Sequence, residues 1–363
     1  MSSMTRRSGD VLTGTVKKMS SALITGGAGF VGSHLATALR EAGTEVRTVD
    51  DLRVTPLIAP PEDLMRKRVL EMGPDDVANV DVVYHLASEK SVPLSFERPL
   101  QYLENLESTT HLLKLCAGAG VRRAIIASTC EVYGQAEKLP TDEAQPFAPR
   151  SPYAASKVAM EMVTKTFQQA AVTNTAATIV RFFNVYGPGE RPDAVIPRFC
   201  VGALTDRLLP IEGTGVQRRD FSYIGDIVQR LVALPSVEPV PVVNLGSGTA
   251  TSILEVGSII RSLCPDSTVD WAEPRTNEIQ EFRADISLQQ CLLPVGTPTI
   301  GLREGVSRTL QWWQKAGRPD SAEAHRADAS RTLATDCLTR AACHSPNSAG
   351  PTTEPPRTTL TTL

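Results

Sequence analysis

No two cysteines in this sequence have the CxxC spacing of a zinc site or a redox dithiol. The seven cysteines (116, 130, 200, 264, 291, 337 and 343) are scattered and odd in number, which argues against a disulfide framework and suits a reducing compartment. The five histidines show no metal-ligand spacing either, so no metal is expected. No apolar run approaches the roughly 18 residues of a membrane helix. Arg6, Arg7, Lys17 and Lys18 stand near the N-terminus, but the apolar core of a secretion signal is missing. A formal charge of −3 supplies no general attraction to nucleic acid or to anionic membranes. These absences predict a soluble, cytoplasmic protein with neither nucleic acid nor membrane as partner. A bound nucleotide would have to be held by a few local arginines.

What is present suits a large α/β unit with a smaller lobe: 363 residues, 41% hydrophobic and 21% charged, without internal repeats. Residues 1–19 are polar and aperiodic and are expected to be a disordered extension, with Met19 as an alternative start of translation. Residues 20–185 alternate short β-branched runs with helical stretches. Strands are expected at Ala22–Thr25, Glu45–Val49, Val80–His85, Ala124–Ser128 and Thr178–Phe182, with helices such as Val31–Ala42 and Gln101–Ala119 between them. Strands apolar on both faces and joined by helical crossovers predict a doubly wound parallel Rossmann sheet. Residues 186–317 contain shorter elements (Pro197–Leu204, a turn region at Glu212–Asp220, Leu254–Leu263 and Glu304–Trp313). They are expected to form a substrate-binding lobe interleaved with the first unit. The Ala/Ser/Thr/Arg-rich stretch 318–363 cannot bury a core and is expected to be a disordered tail.

Residues 25–32 read TGGAGFVG between the first strand and the first helix. Gly26, Gly29 and Gly32 allow a tight turn and bring the amides that open the helix, around Phe30 and Val31, close to a pyrophosphate. The next strand ends at Asp50, 18 residues after Gly32, followed by Asp51. An acidic residue there holds adenine-ribose hydroxyls and repels a 2′-phosphate, so the expected cofactor is NAD. Further along, Ser151-Pro152 reads as a helix start that puts Tyr153 and Lys157 four apart on one face. An ammonium beside a phenol favours the phenolate, which then accepts a proton from a sugar hydroxyl. Thr129 ends the strand Ala124–Ser128 at the carboxyl edge of the sheet, where it can bond the same hydroxyl.

TGGAGFVG, HLA at 85–87, STCEVYG at 128–134, YAASK at 153–157 and RFFNVYGPG at 181–189 together resemble the extended short-chain dehydrogenase/reductases, from about residue 21 to 315. The resemblance implies an NAD-dependent enzyme acting on a nucleotide sugar. It implies Thr129, Tyr153 and Lys157 as catalytic residues and Leu86 and Ala87 as cofactor contacts. Asn105 would be an active-site asparagine, and Lys90 and Asn184 substrate contacts. Arg219 in RRDFSYIGD and Arg275 in PRTNE would be the two arginines on the diphosphate. Asn277 stands where the family usually has glycine, which weakens the match at Arg275. The resemblance also implies dimerisation through two helices.

Cys130-Glu131 is where the chemistry divides. The resemblance associates Asp-Glu at this place with 4,6-dehydratases, Ser-Glu with decarboxylases, and small non-acidic residues with 4-epimerases. A free thiol titrates near ~8.5 and a free aspartic acid near ~3.9, so an unperturbed Cys130 is a proton donor at neutral pH. It is equally a small residue able to fill space at a strand end. Within the family the stretches KSVP (90–93), STCEVYGQ, PRSPYAASK, RFFNVYGPGERPDA, QRRDF and NEIQEFRAD resemble most strongly the UDP-N-acetylglucosamine 5,6-dehydratases of antibiotic biosynthesis. That resemblance implies Cys130 as acid and Glu131 as base. A 4,6-dehydratase, a UDP-glucuronate 4-epimerase or decarboxylase, and a non-catalytic NAD sensor stay open. The carboxylate chemistry of UDP-glucuronate asks for a basic group near C6, and the sequence alone shows none.

Overall fold

The computed structural model describes residues 19–170, 173–274, 278–293 and 299–317. Residues 1–18, Arg275 and the expected tail from 318 onward lie outside them. The strands are β1 (Ser21–Thr25), β2 (Glu45–Asp50), β3 (Met65–Arg66), β4 (Val82–His85), β5 (Arg123–Thr129) and β6 (Ala176–Phe182). They continue with β7 (Asn184–Tyr186), β8 (Leu208–Glu212), β9 (Arg218–Tyr223), β10 (Val242–Leu245), β11 (Ala250–Ser252) and β12 (Thr268–Ala272). The helices are α1 (Phe30–Glu41), α2 (Pro74–Val77), α3 (Val92–Glu97), α4 (Glu104–Ala119) and α5 (Pro152–Gln169). After them come α6 (Val195–Leu204), α7 (Ile224–Ala233), α8 (Ile253–Leu263), α9 (Ser287–Leu292) and α10 (Leu302–Ala316).

Seven strands form the main sheet in the order β10-β6-β5-β4-β1-β2-β3, every pairing parallel. This is the doubly wound Rossmann sheet expected from the alternation of apolar runs and helices. β1, β4 and β5 are buried along their whole length because helices cover both faces. On one face Leu35 and Leu39 of α1 and Ile227 and Leu231 of α7 close the core over Ile24, Tyr84 and Ile125. On the other, Leu112 and Cys116 of α4 pack over Leu23 and Val83, and Met160 of α5 over Ile126 and Ile179. The chain turns from one half of the sheet to the other between β1 and β4, which opens a crevice at their carboxyl ends.

Three local readings are revised. The helix expected from Gln101 starts as a 3-10 turn at Pro99–Leu103 and becomes α-helical at Glu104. Pro99 suits the first position of such a turn. The turn expected at Glu212–Asp220 is narrower, because β8 runs in to Glu212 and β9 leaves at Arg218. Beyond residue 185, β10 rejoins the main sheet beside β6, whereas β11-β9-β7 and β12-β8 make two small sheets of their own. Among the described residues, no helix is long and apolar enough to cross a membrane.

Candidate active site

The glycine loop is shaped by sterics. Gly26 has φ +71°, and a Cβ there would lie 2.7 Å from the Ala87 amide nitrogen. A Cβ on Gly32 would lie 2.1 Å from the Gly26 carbonyl oxygen. The amides of Gly26 and Gly27 donate to Val49 O at 2.8 and 3.1 Å, which hangs the loop on the end of β2. Gly29 caps α1 with no side-chain hydrogen bond, so the first-turn amides remain available to an anion. A cavity of about 390 Å³ opens over this loop, lined among others by Gly32, Asp50, Leu86, Asn105, Tyr153 and Lys157. Phe30, Val31, Gly26, Gly29, Asp51, Ala87 and Lys90 also line it. Asp50 has a further structural duty, accepting from Ala28 N (3.2 Å) and Leu52 N (2.9 Å). Asp51 pairs with Arg53, which also forks onto Glu104 at 3.0 and 3.1 Å.

At the other end of the cavity, Ser151 Oγ caps α5 by accepting from Ala154 N at 3.1 Å, as its position before Pro152 suggested. Tyr153 and Lys157 are both buried on the inner face of α5. The Tyr153 phenol is pushed up, first by burial and then by Glu131 and Cys130. The nearby Thr129 hydroxyl and the charge of Arg191 oppose the rise. Burial thus outweighs the groups that would lower the phenol. Lys157 Nζ donates to Ala127 O at 2.9 Å, and burial pulls it down to about 7, with Glu161 opposing. Asn105 joins three elements: its Oδ1 accepts from Glu89 N (2.9 Å) and Ser88 Oγ (3.1 Å). Its Nδ2 donates to Ser156 Oγ at 3.1 Å, and Ser156 Oγ donates to Tyr153 O at 2.8 Å.

Thr129 ends β5 and caps the 3-10 turn Cys130–Tyr133, its Oγ1 accepting from Glu131 N at 3.2 Å. The turn folds Cys130 and Glu131 back within electrostatic reach of Tyr153. Cys130 is only 4% exposed, and its thiol is held well above the usual range, first by burial and then by Glu131. Asn184 Oδ1 is buried without a hydrogen-bond partner among the described residues. Arg219 pairs with Glu278 and donates to Ile279 O at 2.8 Å, and its guanidinium lies over Phe282. The structure thus brings Thr129, Cys130, Glu131, Tyr153 and Lys157 together.

The model of the NAD-dependent epimerase/dehydratase family matches residues 22–246. This chain belongs to that family. UDP-glucuronic acid decarboxylase 1 of Danio rerio is 34% identical over 308 residues, covering 81% of this chain and 72% of that protein. A mouse dTDP-D-glucose 4,6-dehydratase is 29% identical over 317 residues, with 81% and 88% covered. Among solved structures, TunA, an NAD-dependent NDP-hexosamine 5,6-dehydratase involved in tunicamycin biosynthesis, is 53% identical with a TM-score of 0.79. The match covers 81% of this chain and 97% of that one.

The cofactor of this epimerase/dehydratase is NAD, and its cradle fits the group. Two glycines leave room that any side chain would fill, uncapped amides open α1, and a carboxylate ends β2. Gly32→Ala is expected to cost roughly 1–3 kcal/mol of folding stability, because the added methyl meets the Gly26 backbone and the loop must shift. Thermal melting would show this as a lower melting temperature, and titration calorimetry with NAD as a weaker affinity, since the displaced loop is the one that faces the cofactor. Among the described residues, no cluster of three His, Cys, Asp or Glu is placed to hold a metal.

Several site residues of the epimerase/dehydratase carry no local signal. Arg191 lines the cavity, pairs with Asp193 at 3.0 Å and acts on Tyr153. It is a basic group facing the cavity, and GERPDA was legible only as part of a resemblance. Lys90 lines the cavity and is exposed. Beneath the site, Glu161 is fully buried between Arg181 (2.9 and 2.7 Å) and Ser128 Oγ (2.6 Å), tying α5 to β5 and β6. Arg181 in turn donates to Tyr133 Oη at 2.8 Å. A buried ion pair satisfied on every side holds geometry more than it adds stability.

Proposed function

We propose that this epimerase/dehydratase is a 5,6-dehydratase of UDP-N-acetylglucosamine that works in antibiotic biosynthesis of the tunicamycin type. The observation that carries the reading is the Cys130-Glu131 pair, folded by a 3-10 turn against Thr129 and Tyr153, with the thiol kept protonated by burial. The 53% identity to TunA supports it.

NAD, when bound, supplies the acceptor for the C4 hydride and later its donor. Tyr153, with Thr129 on the same hydroxyl and Lys157 beside it, takes the 4-hydroxyl proton. A carbonyl at C4 acidifies C5–H, and Glu131 removes that proton. The electron pair expels the 6-hydroxyl, which leaves as water with the Cys130 proton. Tyr153 returns its proton as C4 is reduced, leaving a 5,6-ene. Asn184, with its unpartnered buried oxygen, is assigned to the sugar, and Lys90, Arg219 and Arg275 to the anionic part of the UDP-sugar.

Incubation with UDP-N-acetylglucosamine and no added reductant, followed by proton NMR and mass spectrometry, tests the reading. Loss of one water with vinyl signals and no ketone is expected. A new methyl group with a C4 ketone would mean a 4,6-dehydratase. Arg191 favours a second reading, since its planar guanidinium suits the C6 carboxylate of UDP-glucuronate. Turnover of UDP-glucuronate alone would replace the dehydratase with an epimerase or decarboxylase.

We also propose a homodimer. Phe96 of α3, Leu100 and Leu103 of the following turn, and Met162 of α5 are all exposed large apolar side chains on elements that pack together. A second copy laid on α4 and α5 would cover them, and sedimentation at the monomer mass would remove this proposal. A cytoplasmic setting is supported by the five free cysteines among the described residues.

A further inference from the structure

The strip Glu278–Asp285 crosses the site between two anchors. On one side it is sewn to β9: Arg218 N donates to Gln280 O (2.8 Å), Phe282 N to Arg218 O (3.1 Å), and Ala284 N to the Asp220 carboxylate (3.1 Å). On the other it meets the chain that follows the Cys130 turn. Gln280 N donates to Gln135 Oε1 (3.2 Å), Thr141 N to Arg283 O (2.8 Å) and Asp285 N to Thr141 O (2.8 Å). Between the anchors, Ile279, Phe282 and Ala284 share one buried apolar cluster with Cys130, Val132, Tyr133 and Phe183. The wall against Cys130 is therefore built from a strip held in place by short contacts and two isolated bridges rather than by a regular element.

Arg219 holds this strip through both terminal nitrogens and its flat face. Nη1 donates to Ile279 O at 2.8 Å and also to Arg218 O, Nη2 pairs with the Glu278 carboxylate, and Cζ lies 5.4 Å from the centre of the Phe282 ring. A diphosphate carries more charge and more acceptor oxygens than one carboxylate, so it competes with Glu278 for the same donors. It cannot do so without loading a side chain that also bears on Ile279 and Phe282. A close-packed cluster passes such a load on as a shift of its members.

We propose that Ile279 and Phe282 are positioning residues for Cys130, and that Arg219 couples them to the occupant of the diphosphate site. The inference rests on the proposed reading of Arg219 as a diphosphate ligand. Its consequence is that the proton donor is set in place only when the nucleotide end of the substrate is engaged, which keeps a free sugar from being dehydrated.

The test uses the full chain loaded with NAD, with UDP as the probe. Alkylation of Cys130 by iodoacetamide is followed by peptide mass spectrometry, with the exposed Cys291 as internal control. Saturating UDP is expected to change the Cys130 rate by about fivefold or more, and the Cys291 rate not at all. Phe282→Ala is expected to bind UDP as before yet lose that response. Its kcat should fall by about 10²-fold with KM unchanged, as for a misplaced catalytic group. Phe282→Leu, closer in volume, is the variant to read if the alanine protein does not fold, with a weakened response expected. An unchanged Cys130 rate on UDP binding overturns the coupling while leaving the nucleotide-sugar reading intact. An equal UDP effect in the wild type and the Phe282 variants also overturns it, because UDP would then merely shield the thiol. Failure of UDP to bind at all sinks both readings together.

Discussion

Tyr153→Phe is expected to lower turnover by about 10²–10⁴-fold while leaving bound NAD and thermal stability essentially unchanged. The substitution removes one oxygen from a residue only 8% exposed. That oxygen lies within reach of Thr129 and of the charges of Glu131, Cys130 and Arg191. In the proposed cycle, proton removal from the 4-hydroxyl comes first, so every later step would lose with it. The measurement is NMR of the substrate beside the cofactor content of denatured protein. A variant that behaves like wild type in every assay would make this chain a dinucleotide sensor. The same prediction carries a pH signature. Lys157 is held down to about 7 by burial, so it is an ammonium below that pH and neutral above it. A rate that needs the ammonium beside the phenol falls as pH rises through about 7, and that limb should vanish in Lys157→Met.

Glu131→Gln is expected to abolish exchange of C5–H with D₂O, a loss of about 10²–10⁴-fold, because the amide keeps the shape and discards the base. Cys130→Ser should separate the two halves of the elimination, leaving C5 exchange in place and slowing loss of water. An alcohol is a far weaker acid than the thiol, which burial already holds in its protonated form. Both variants are read in one experiment, with the deuterium content at C5 set against water loss by mass spectrometry. Exchange that persists in Glu131→Gln excludes it as the base. Unchanged dehydration in Cys130→Ser returns that residue to a space-filling part at a strand end.

The parts of this protein legible from sequence are those whose physics is local. TGGAGFVG between a strand and a helix requires that backbone turn whatever surrounds it, and the structure confirms the requirement at Gly26 and Gly32. Ser151-Pro152 starts α5, and the spacing of Tyr153 and Lys157 places both on one face of that helix. Buried β-branched runs between helices leave few arrangements other than a parallel doubly wound sheet.

Tertiary structure alone decided what depends on contacts between distant segments. Arg191 looks like any arginine in a Gly/Pro-rich stretch until the fold turns it toward the cavity that holds Tyr153. The spacing puts Lys157 on the face of the phenol, but only the fold shows that its Nζ also donates to Ala127 O and that burial pulls it down. Glu161 and Arg181, 20 residues apart, become a buried pair only because α5 lies over β5 and β6. Arg219 reaches Glu278 and Phe282 across about sixty residues. Composition and periodicity report preferences over a turn or two of chain. Side-chain charge states and long-range partners are set by desolvation and packing, and these exist only once the sheet has brought its strand ends together.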